Sequence, residues 1–167
     1  MQSKIPTLDL GDFLADKPGA LETVSAELQY AAESVGFFFI RNHGVSQGLV
    51  NATFDASRRF HDLPDEKKMA LKANEHNIGY MAPGASVSRA SQVYEGERKT
   101  NLVAAFFLKR DLPPDHSDIV ENKPFRGLNQ WPANLDGFRE TTVAYMDAME
   151  SLAKSMLPIY ATALDLP

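Results

Sequence analysis

The sequence predicts an α+β fold, in which a helix-rich layer carries a few short strands. Two observations indicate helices: apolar residues recur at intervals of three and four along several segments, and those segments are flanked by residues that suit helix ends. A third observation indicates strands, because Phe37–Ile40 form a run of four large apolar residues. Such a run is typical of a buried strand that is covered on both faces.

Three longer helices follow from this spacing. The first lies between Pro18 and Val35 and stops at Gly36, a residue common just beyond a helix C-terminus. The second runs from Ser46, its predicted N-cap, to about Asp62. The third extends from about Asp136 to Leu164. The residues of the second helix that we expect to face inward are Leu49, Val50, Phe54 and Phe60.

Strands and loops fill the intervening sequence. Ile5–Leu10 is predicted to be extended, and Leu102–Leu108 is the second candidate for a strand. Periodicity is lost from Lys72 to about Asn101, which predicts a long loop of the kind that forms lids or binding surfaces. Asp111–Pro132 contains apolar residues that can dock on a core. We therefore expect residues 1–167 to form a single unit.

Composition excludes several classes of function. The 17 basic and 22 acidic residues give a net charge of −5, so the basic surface that binds nucleic acid is not expected. No apolar run approaches the ~20 residues that span a bilayer, and the N-terminal residues lack the apolar core of a signal peptide. A cytoplasmic protein without membrane partners is therefore expected. Because the chain has no cysteine, any metal ligands must be His, Asp or Glu.

Several short motifs, taken in order, resemble the N-terminal region of the iron(II)- and 2-oxoglutarate-dependent oxygenases of the isopenicillin N synthase-like family. Each motif alone has low specificity, and their order and spacing carry the resemblance over the whole chain. The motifs are Ile5-Pro6-Thr7-Leu8-Asp9-Leu10, Gly36-Phe37-Phe38-Phe39-Ile40-Arg41-Asn42-His43-Gly44-Val45, Phe60-His61-Asp62-Leu63-Pro64, Gly79-Tyr80, and Asn129-Gln130-Trp131-Pro132 before Phe138-Arg139.

The resemblance implies that the helical layer packs on a C-terminal jelly roll (double-stranded β-helix), whose sheet the Phe37–Ile40 strand joins. In such enzymes the jelly roll supplies a His-x-Asp pair and a distal His for the iron, and an Arg-x-Ser pair for 2-oxoglutarate. We expect this catalytic portion to be absent from the 167 residues. The parent enzyme would then use Fe(II) and 2-oxoglutarate on a small-molecule substrate, whereas this chain alone would bind neither cofactor and be inactive.

Candidate site residues are confined to the long loop. Tyr80, Arg89 and Tyr94 are predicted to bind substrate, because they could reach over the mouth of a barrel and an arginine makes paired bonds to a carboxylate. No catalytic residue and no metal ligand is assigned. Lys67-Lys68 is expected to lie on a solvated helix face.

The histidines admit more than one interpretation. His116-Ser117-Asp118 spells His-x-Asp, but it lies in a polar loop and we expect it to be solvated rather than to bind metal. His43 is expected to satisfy backbone groups in the turn after the buried strand, while His61 and His76 are expected at the surface. A metal-binding protein using His116 and Asp118 is kept as one alternative. The other alternative is a non-catalytic interaction module that self-associates through its exposed apolar strand.

Overall fold

The computed structural model describes residues 5–87 and 100–166. These residues cluster into two compact units, the first drawn from Met1–Asn51 with Ala144–Pro167 and the second from Ala52–Val143. The prediction of one continuous unit over residues 1–167 stays a prediction. In chain order the elements are β1 (Thr7–Asp9), α1 (Gly11–Leu14), α2 (Ala20–Ser34), β2 (Phe39–Arg41), α3 (Gln47–His61), α4 (Asp65–Met69), β3 (Gly79–Met81), β4 (Ser86–Val87), β5 (Thr100–Asn101), β6 (Ala105–Phe107), α5 (Ser117–Val120) and α6 (Phe138–Ala163).

The first unit is organised around a parallel pair of strands. β1 pairs with β2 so that Leu8 lies opposite Ile40 and Asp9 opposite Arg41. The helix α2 connects them, as a parallel pair requires a crossover rather than a tight turn. The buried apolar residues of this core are Leu8, Leu10, Val24, Leu28, Ala31, Leu152, Ile159 and Ala163.

The predicted helix between Pro18 and Val35 is confirmed as α2. Its buried face repeats at Val24, Leu28 and Ala31, which is the spacing of one helical stripe. At its end the N–H groups of Val35 and Gly36 both donate to the carbonyl of Ala31. Gly36 has φ +81°, a left-handed conformation that costs a glycine little and ends the helix.

The Phe37–Ile40 run differs from its prediction. The strand begins only at Phe39, and its side chains alternate instead of being buried on both faces. Phe38 and Ile40 pack against the core of the first unit, whereas Phe37 is 72% exposed and Phe39 is 60% exposed. The period of two explains this, because successive strand side chains point to opposite faces and only one face meets a layer among the described residues.

The second unit has an aromatic core centred on Phe60. Its ring centroid lies 4.2 Å from that of Phe106, 5.6 Å from that of Phe138 and 5.9 Å from that of Tyr80. Trp131 packs against the same cluster. Rings at these separations, mostly tilted or edge-on, contribute more than their buried area alone.

The predicted helix from Ser46 to Asp62 is confirmed as α3, with one error in its inward face. Ser46 caps it as predicted, since its Oγ accepts from the N–H of Leu49 at 3.1 Å. Ala56 and Phe60 are buried, one turn apart, but Phe54 is 68% exposed. At about 100° per residue, Phe54 lies nearly opposite Ala56, so the two cannot share a face.

The region predicted as a long loop contains short antiparallel pairs. β3 pairs with β6, with Gly79 opposite Phe107, Tyr80 opposite Phe106 and Met81 opposite Ala105. β4 pairs with β5, with Ser86 opposite Asn101 and Val87 opposite Thr100. The second predicted strand, Leu102–Leu108, is therefore confirmed in a shorter form as β6. Among the helices of the described residues, none has both the length and the apolar character to cross a membrane.

Candidate functional site

The β3–β6 pair of the second unit contains Tyr80, and the segment between its two strands carries Arg89 and Tyr94 in the sequence. Its first residue, Gly79, has φ +117° and lies directly beside the carbonyl oxygen of Leu71. A Cβ at this position would also lie 2.5 Å from Nε2 of Gln130. Only glycine fits there, so the motif Gly79-Tyr80 has a local structural reason.

Tyr80 is held from both its backbone and its ring. Its N–H donates to the carbonyl of Leu71 at 2.6 Å, and its own carbonyl accepts from the N–H of Ala73 at 2.9 Å. The residue is only 4% exposed, within the aromatic core around Phe60. Its predicted part in substrate binding stays a prediction, and the predicted contacts Arg89 and Tyr94 lie outside the described residues.

Most of the Lys68 side chain is shielded from solvent, contrary to the prediction of a solvated position. Its side chain is 11% exposed, its Nζ donates to the carbonyl of His61 at 3.0 Å, and Asp65 pairs with it at 3.0 Å. The ammonium also lies 5.8 Å from the centre of the Tyr80 ring. The carbonyl of His61 lies at the C-terminus of α3, where helix carbonyls lack partners within the helix, so Lys68 supplies that hydrogen bond. Its ammonium group also packs on one side of the Tyr80 ring.

A cleft of about 470 Å³ opens beside β3 in the second unit, a volume suited to a small molecule. Lys72 is the cation among its lining residues, and most of the rest are apolar. The lining consists of Met69, Lys72, Ala73, Tyr80, Met81, Ala82, Pro83, Gly84 and Ala85.

The histidines form local contacts. Nδ1 of His43 accepts from the N–H of Val45 at 3.2 Å, which confirms the predicted role in the turn after β2. Nδ1 of His116 accepts from the N–H of Asp118 at 3.2 Å and caps α5. His61 and His76 are partly buried rather than at the surface, the side chain of His76 being 13% exposed.

Asp118 is held by cations of its own segment. Its carboxylate accepts from Lys123 at 2.6 Å, and Arg126 lies 3.8 Å away. The bond from Lys123 keeps the pKa of Asp118 below its usual value. Over residues 5–87 and 100–166, no three His, Asp or Glu side chains lie close enough together to hold a metal ion. The described residues therefore do not fit an Fe(II) site.

A second ionic cluster stabilises the ends of β1 and β2 in the first unit. Asp9 accepts from the N–H of Gly11 at 3.0 Å and from the amide of Asn42 at 2.8 Å, and it pairs with Arg41 at 2.9 Å. The Gly11 bond, followed by the Asn42 bond, lowers the pKa of Asp9. Arg41 and Asn42 therefore have a structural role, since both bind the carboxylate of Asp9. In the sequence they stand out only as part of a motif.

The exposed aromatic edge, defined as Phe37 and Phe39, is the other candidate functional surface. Phe39 begins β2 and Phe37 lies two residues before it. Both side chains are exposed, and neither is among the residues that pack on the core of the first unit. Large apolar side chains exposed side by side are typical of surfaces that bind another layer. This edge is therefore a candidate interface rather than a catalytic site.

Sequence reasoning missed two residues with clear roles, Asn129 and Gln130. Their side-chain amides bond to backbone groups next to β3 and β6. The only signal in the sequence was two adjacent carboxamides before Trp131-Pro132, a pattern that shows polar side chains but not their partners.

Comparison with known proteins gives consistent matches. Residues 5–134 match the family described as the N-terminal region of non-haem dioxygenases in morphine synthesis. A 2-oxoglutarate-Fe(II) type oxidoreductase, hxnY of Emericella nidulans, is 31% identical over 163 residues, which cover 96% of this chain and 46% of that protein.

Two crystal structures share the fold. The full-length Neurospora crassa T7H in complex with alpha-KG has a TM-score of 0.75 at 24% identity, with 98% of this chain and 48% of that chain covered. The rice dioxygenase for auxin oxidation has a TM-score of 0.63 at 29% identity, with 98% and 46% covered. The chain thus spans about half the length of the relatives it matches. Because the family match covers most of its residues, the chain belongs to the N-terminal region family of the non-haem, 2-oxoglutarate- and Fe(II)-dependent dioxygenases.

Proposed function

We propose that this chain is the N-terminal scaffold and substrate-entrance part of a non-haem Fe(II)/2-oxoglutarate-dependent oxygenase that acts on a small organic substrate. The family match over residues 5–134 carries the proposal. The parent enzyme would oxidise its substrate while 2-oxoglutarate is converted to succinate and CO₂. The partner of this chain would be the C-terminal jelly-roll portion of the same protein.

The exposed aromatic edge supports a scaffold role. Phe37 and Phe39 leave large apolar surfaces in water, which is unfavourable by about 25 cal/mol per Å². A β-sheet placed against β2 would cover them, and the strand would then be buried on both faces as its sequence indicates. The edge is therefore where we place contact with the jelly roll.

The hairpin β3–β6 supports the substrate-entrance role. Unlike the buried Tyr80 ring, the neighbouring cleft is open to solvent, and Lys72 gives it one positive charge. The segment beyond Gly84 includes Arg89 and Tyr94 in sequence, two residues suited to polar or anionic groups. We therefore place substrate recognition on this side of the second unit.

The chain alone is expected to be catalytically silent. Iron that must bind 2-oxoglutarate and O₂ needs two histidines and a carboxylate with open positions, held rigidly by surrounding groups. No such group of His, Asp or Glu side chains is found among the described residues, and His43 and His116 each accept a bond from a nearby backbone N–H. Purified chain supplied with Fe(II), ascorbate and 2-oxoglutarate should form no succinate above the level without protein. Measurable turnover by the 167 residues would contradict this part of the proposal.

A chimera tests the scaffold role directly. The chain is joined to the C-terminal half of the Emericella nidulans relative, beginning where the two sequences stop matching. We expect the chimera to convert 2-oxoglutarate to succinate, and Phe39→Asp to abolish this by placing a charge in the interface. Phe54→Asp is the matched control, since Phe54 is equally exposed but distant from β2 in sequence. A soluble, folded chimera without turnover would contradict the scaffold proposal.

The exposed aromatic edge also supports a second candidate, a non-catalytic module that self-associates. In that case a second copy of the chain would cover Phe37 and Phe39. Sedimentation velocity separates the two proposals, because the module predicts a stable, folded dimer that Phe39→Asp converts to a monomer. A chain that is monomeric at concentrations of tens of micromolar would exclude the module.

A further inference from the structure

The base of the β3–β6 hairpin is closed by side chains rather than by further backbone pairing. The backbone ladder ends at the pair Gly79 and Phe107. The next groups outward are the carbonyl of Ile78, just before β3, and the backbone of Lys109, two residues after β6. Each of these is bonded by one of two neighbouring residues, Asn129 and Gln130.

Asn129 pairs with the strand that leaves the hairpin. Its Oδ1 accepts from the N–H of Lys109 at 2.9 Å, and its Nδ2 donates to the carbonyl of Lys109 at 2.9 Å. These two hydrogen bonds to one residue reproduce the pattern of a hydrogen-bonded pair in an antiparallel sheet. Nδ2 donates its second hydrogen to Oδ1 of Asp111, with 3.1 Å between the nitrogen and the oxygen, so both donors of the Asn129 amide have partners.

Gln130 holds the strand that enters the hairpin. Its Nε2 donates to the carbonyl of Ile78 at 2.7 Å and to the carbonyl of Lys72 at 3.1 Å. The Gln130 amide occupies the space that a side chain at position 79 would require, because a Cβ on Gly79 would lie 2.5 Å from Nε2 of Gln130. The position of the Gln130 amide therefore requires glycine at position 79.

The two amides are anchored to the core through the next residue. Trp131 packs against the aromatic core, and its ring centroid lies 6.3 Å from that of Phe138. The guanidinium of Arg139 lies 5.3 Å from the centre of the Trp131 ring and donates to Oδ2 of Asp111 at 2.8 Å. Asp111 in turn accepts from Asn129, so this end of the arrangement is cross-linked.

We propose that Asn129 and Gln130 are positioning residues that fix the spacing of the two ends of the segment between β3 and β6. Arg89 and Tyr94 belong to that segment in sequence, and a part for them in substrate binding rests on the proposed function. The clamp on the hairpin does not rest on it. The two adjacent amides donate all four of their N–H hydrogens, three to the backbone and one to Asp111, so neither has a donor left for another partner.

Hydrogen exchange on the 167-residue chain tests the clamp. Gln130→Met keeps the approximate shape of the side chain but removes both donors. The carbonyl of Lys72 then loses its bond from Gln130, and the carbonyl of Ile78 keeps only its bond from the N–H of Asn74 at 3.0 Å. We expect the amides of β3 and β6 to exchange at least about tenfold faster, while those of β1 and β2 keep their rates. Gln29→Met is the matched control, since the Gln29 amide donates to Glu33 on the exposed face of α2. A change of less than twofold in the hairpin, or an equal change in β1 and β2, would overturn the proposal.

A pH profile separates hydrogen bonding from space filling. In Gln130→Glu an ionised carboxylate faces two carbonyl oxygens, whereas a protonated carboxyl group can donate to one of them. The pKa of the introduced group should therefore lie above the usual value of about 4.3, and hairpin protection should increase as the pH falls through it. Gln130→Met should show no such recovery relative to the unmodified chain. Equal pH profiles for the two variants would refute a hydrogen-bonding role.

Asn129→Asp provides a second variant on the other strand. It keeps the acceptor for the N–H of Lys109 but loses both donors and adds a negative charge beside Asp111. Exchange in β6 should accelerate more than in the Gln29→Met control, and unchanged exchange would count against the proposal. None of these measurements needs iron or 2-oxoglutarate. A clamp found in a chain whose chimera is silent would overturn the proposed function alone.

Discussion

Replacing Phe60 by alanine should destabilise the second unit more than any other single truncation on α3. Phe60 is 1% exposed and its ring is within 6 Å of the rings of Phe106, Phe138 and Tyr80. Removing a buried phenylalanine costs about 3–5 kcal/mol, through lost transfer free energy and the cavity that remains. The ring contacts are part of that figure and are not added to it.

Phe54→Ala is the matched control for this experiment. Phe54 lies on the same helix, but it is 68% exposed, so its truncation should change the free energy of unfolding by less than about 0.5 kcal/mol. The assay is urea denaturation followed by the fluorescence of Trp131, the single tryptophan, which packs against the core around Phe60. Against a total stability of about 5–15 kcal/mol, the expected loss is large. The reasoning is refuted if Phe60→Ala costs less than about 1 kcal/mol or if both variants cost the same.

Four further predictions concern single residues. Ser25→Ala should raise the free energy of unfolding by about 1 kcal/mol, and with it the melting temperature, because the Ser25 hydroxyl is buried with no hydrogen-bond partner among the described residues. Ser46→Ala should lower it by a similar amount through loss of the N-cap. Gly79→Ala should lower the free energy of unfolding by at least about 1–3 kcal/mol because of the positive φ of Gly79 and its close neighbours. Gly48→Ala, inside α3, should not lower it in the same urea titration, because an added Cβ would meet only Oγ of Ser46 at 4.0 Å. The pKa of Asp9 is lowered in the folded chain, so the stabilisation by its carboxylate is complete above the unfolded pKa of about 3.9 and is lost as the pH falls through the folded pKa. In urea titrations from pH 6 to pH 2.5, Asp9→Asn should therefore reduce the loss of stability at acid pH. An unchanged loss of stability at acid pH would contradict this.

The helices were predictable because their information is local. The stripe of Val24, Leu28 and Ala31 and the stop at Gly36 lie within one segment, so spacing and glycine chemistry were sufficient. Phe54 was misplaced because spacing alone does not say which of two apolar stripes faces the core. That choice depends on where Ala56 and Phe60 meet other segments, which is not local information.

The candidate site was predictable only in part for the same reason. Gly79-Tyr80 was recognised as a motif, but the burial of Tyr80 depends on Phe60 and on Lys68, which are distant in the chain. Asn129 and Gln130 act on residues about 20 and 52 positions away, respectively. No rule of helical or strand spacing connects such positions, so their roles required coordinates.

The two faces of β2 give the strongest argument that the strand is adapted to a partner. A sequence selected only for the first unit would need apolar side chains at Phe38 and Ile40, which pack on that core, and could place polar residues at the alternate positions. It has phenylalanine at Phe37 and Phe39 instead, and these are exposed. Polar residues there would cost the isolated unit nothing and would improve its solubility. Burial by another layer is the simplest reason for two such residues, and it favours both a jelly roll and a second copy over an independent monomer. The Phe39→Asp and Phe54→Asp pair decides between these partners, because only a jelly roll makes the edge necessary for turnover and only self-association makes it necessary for a dimer.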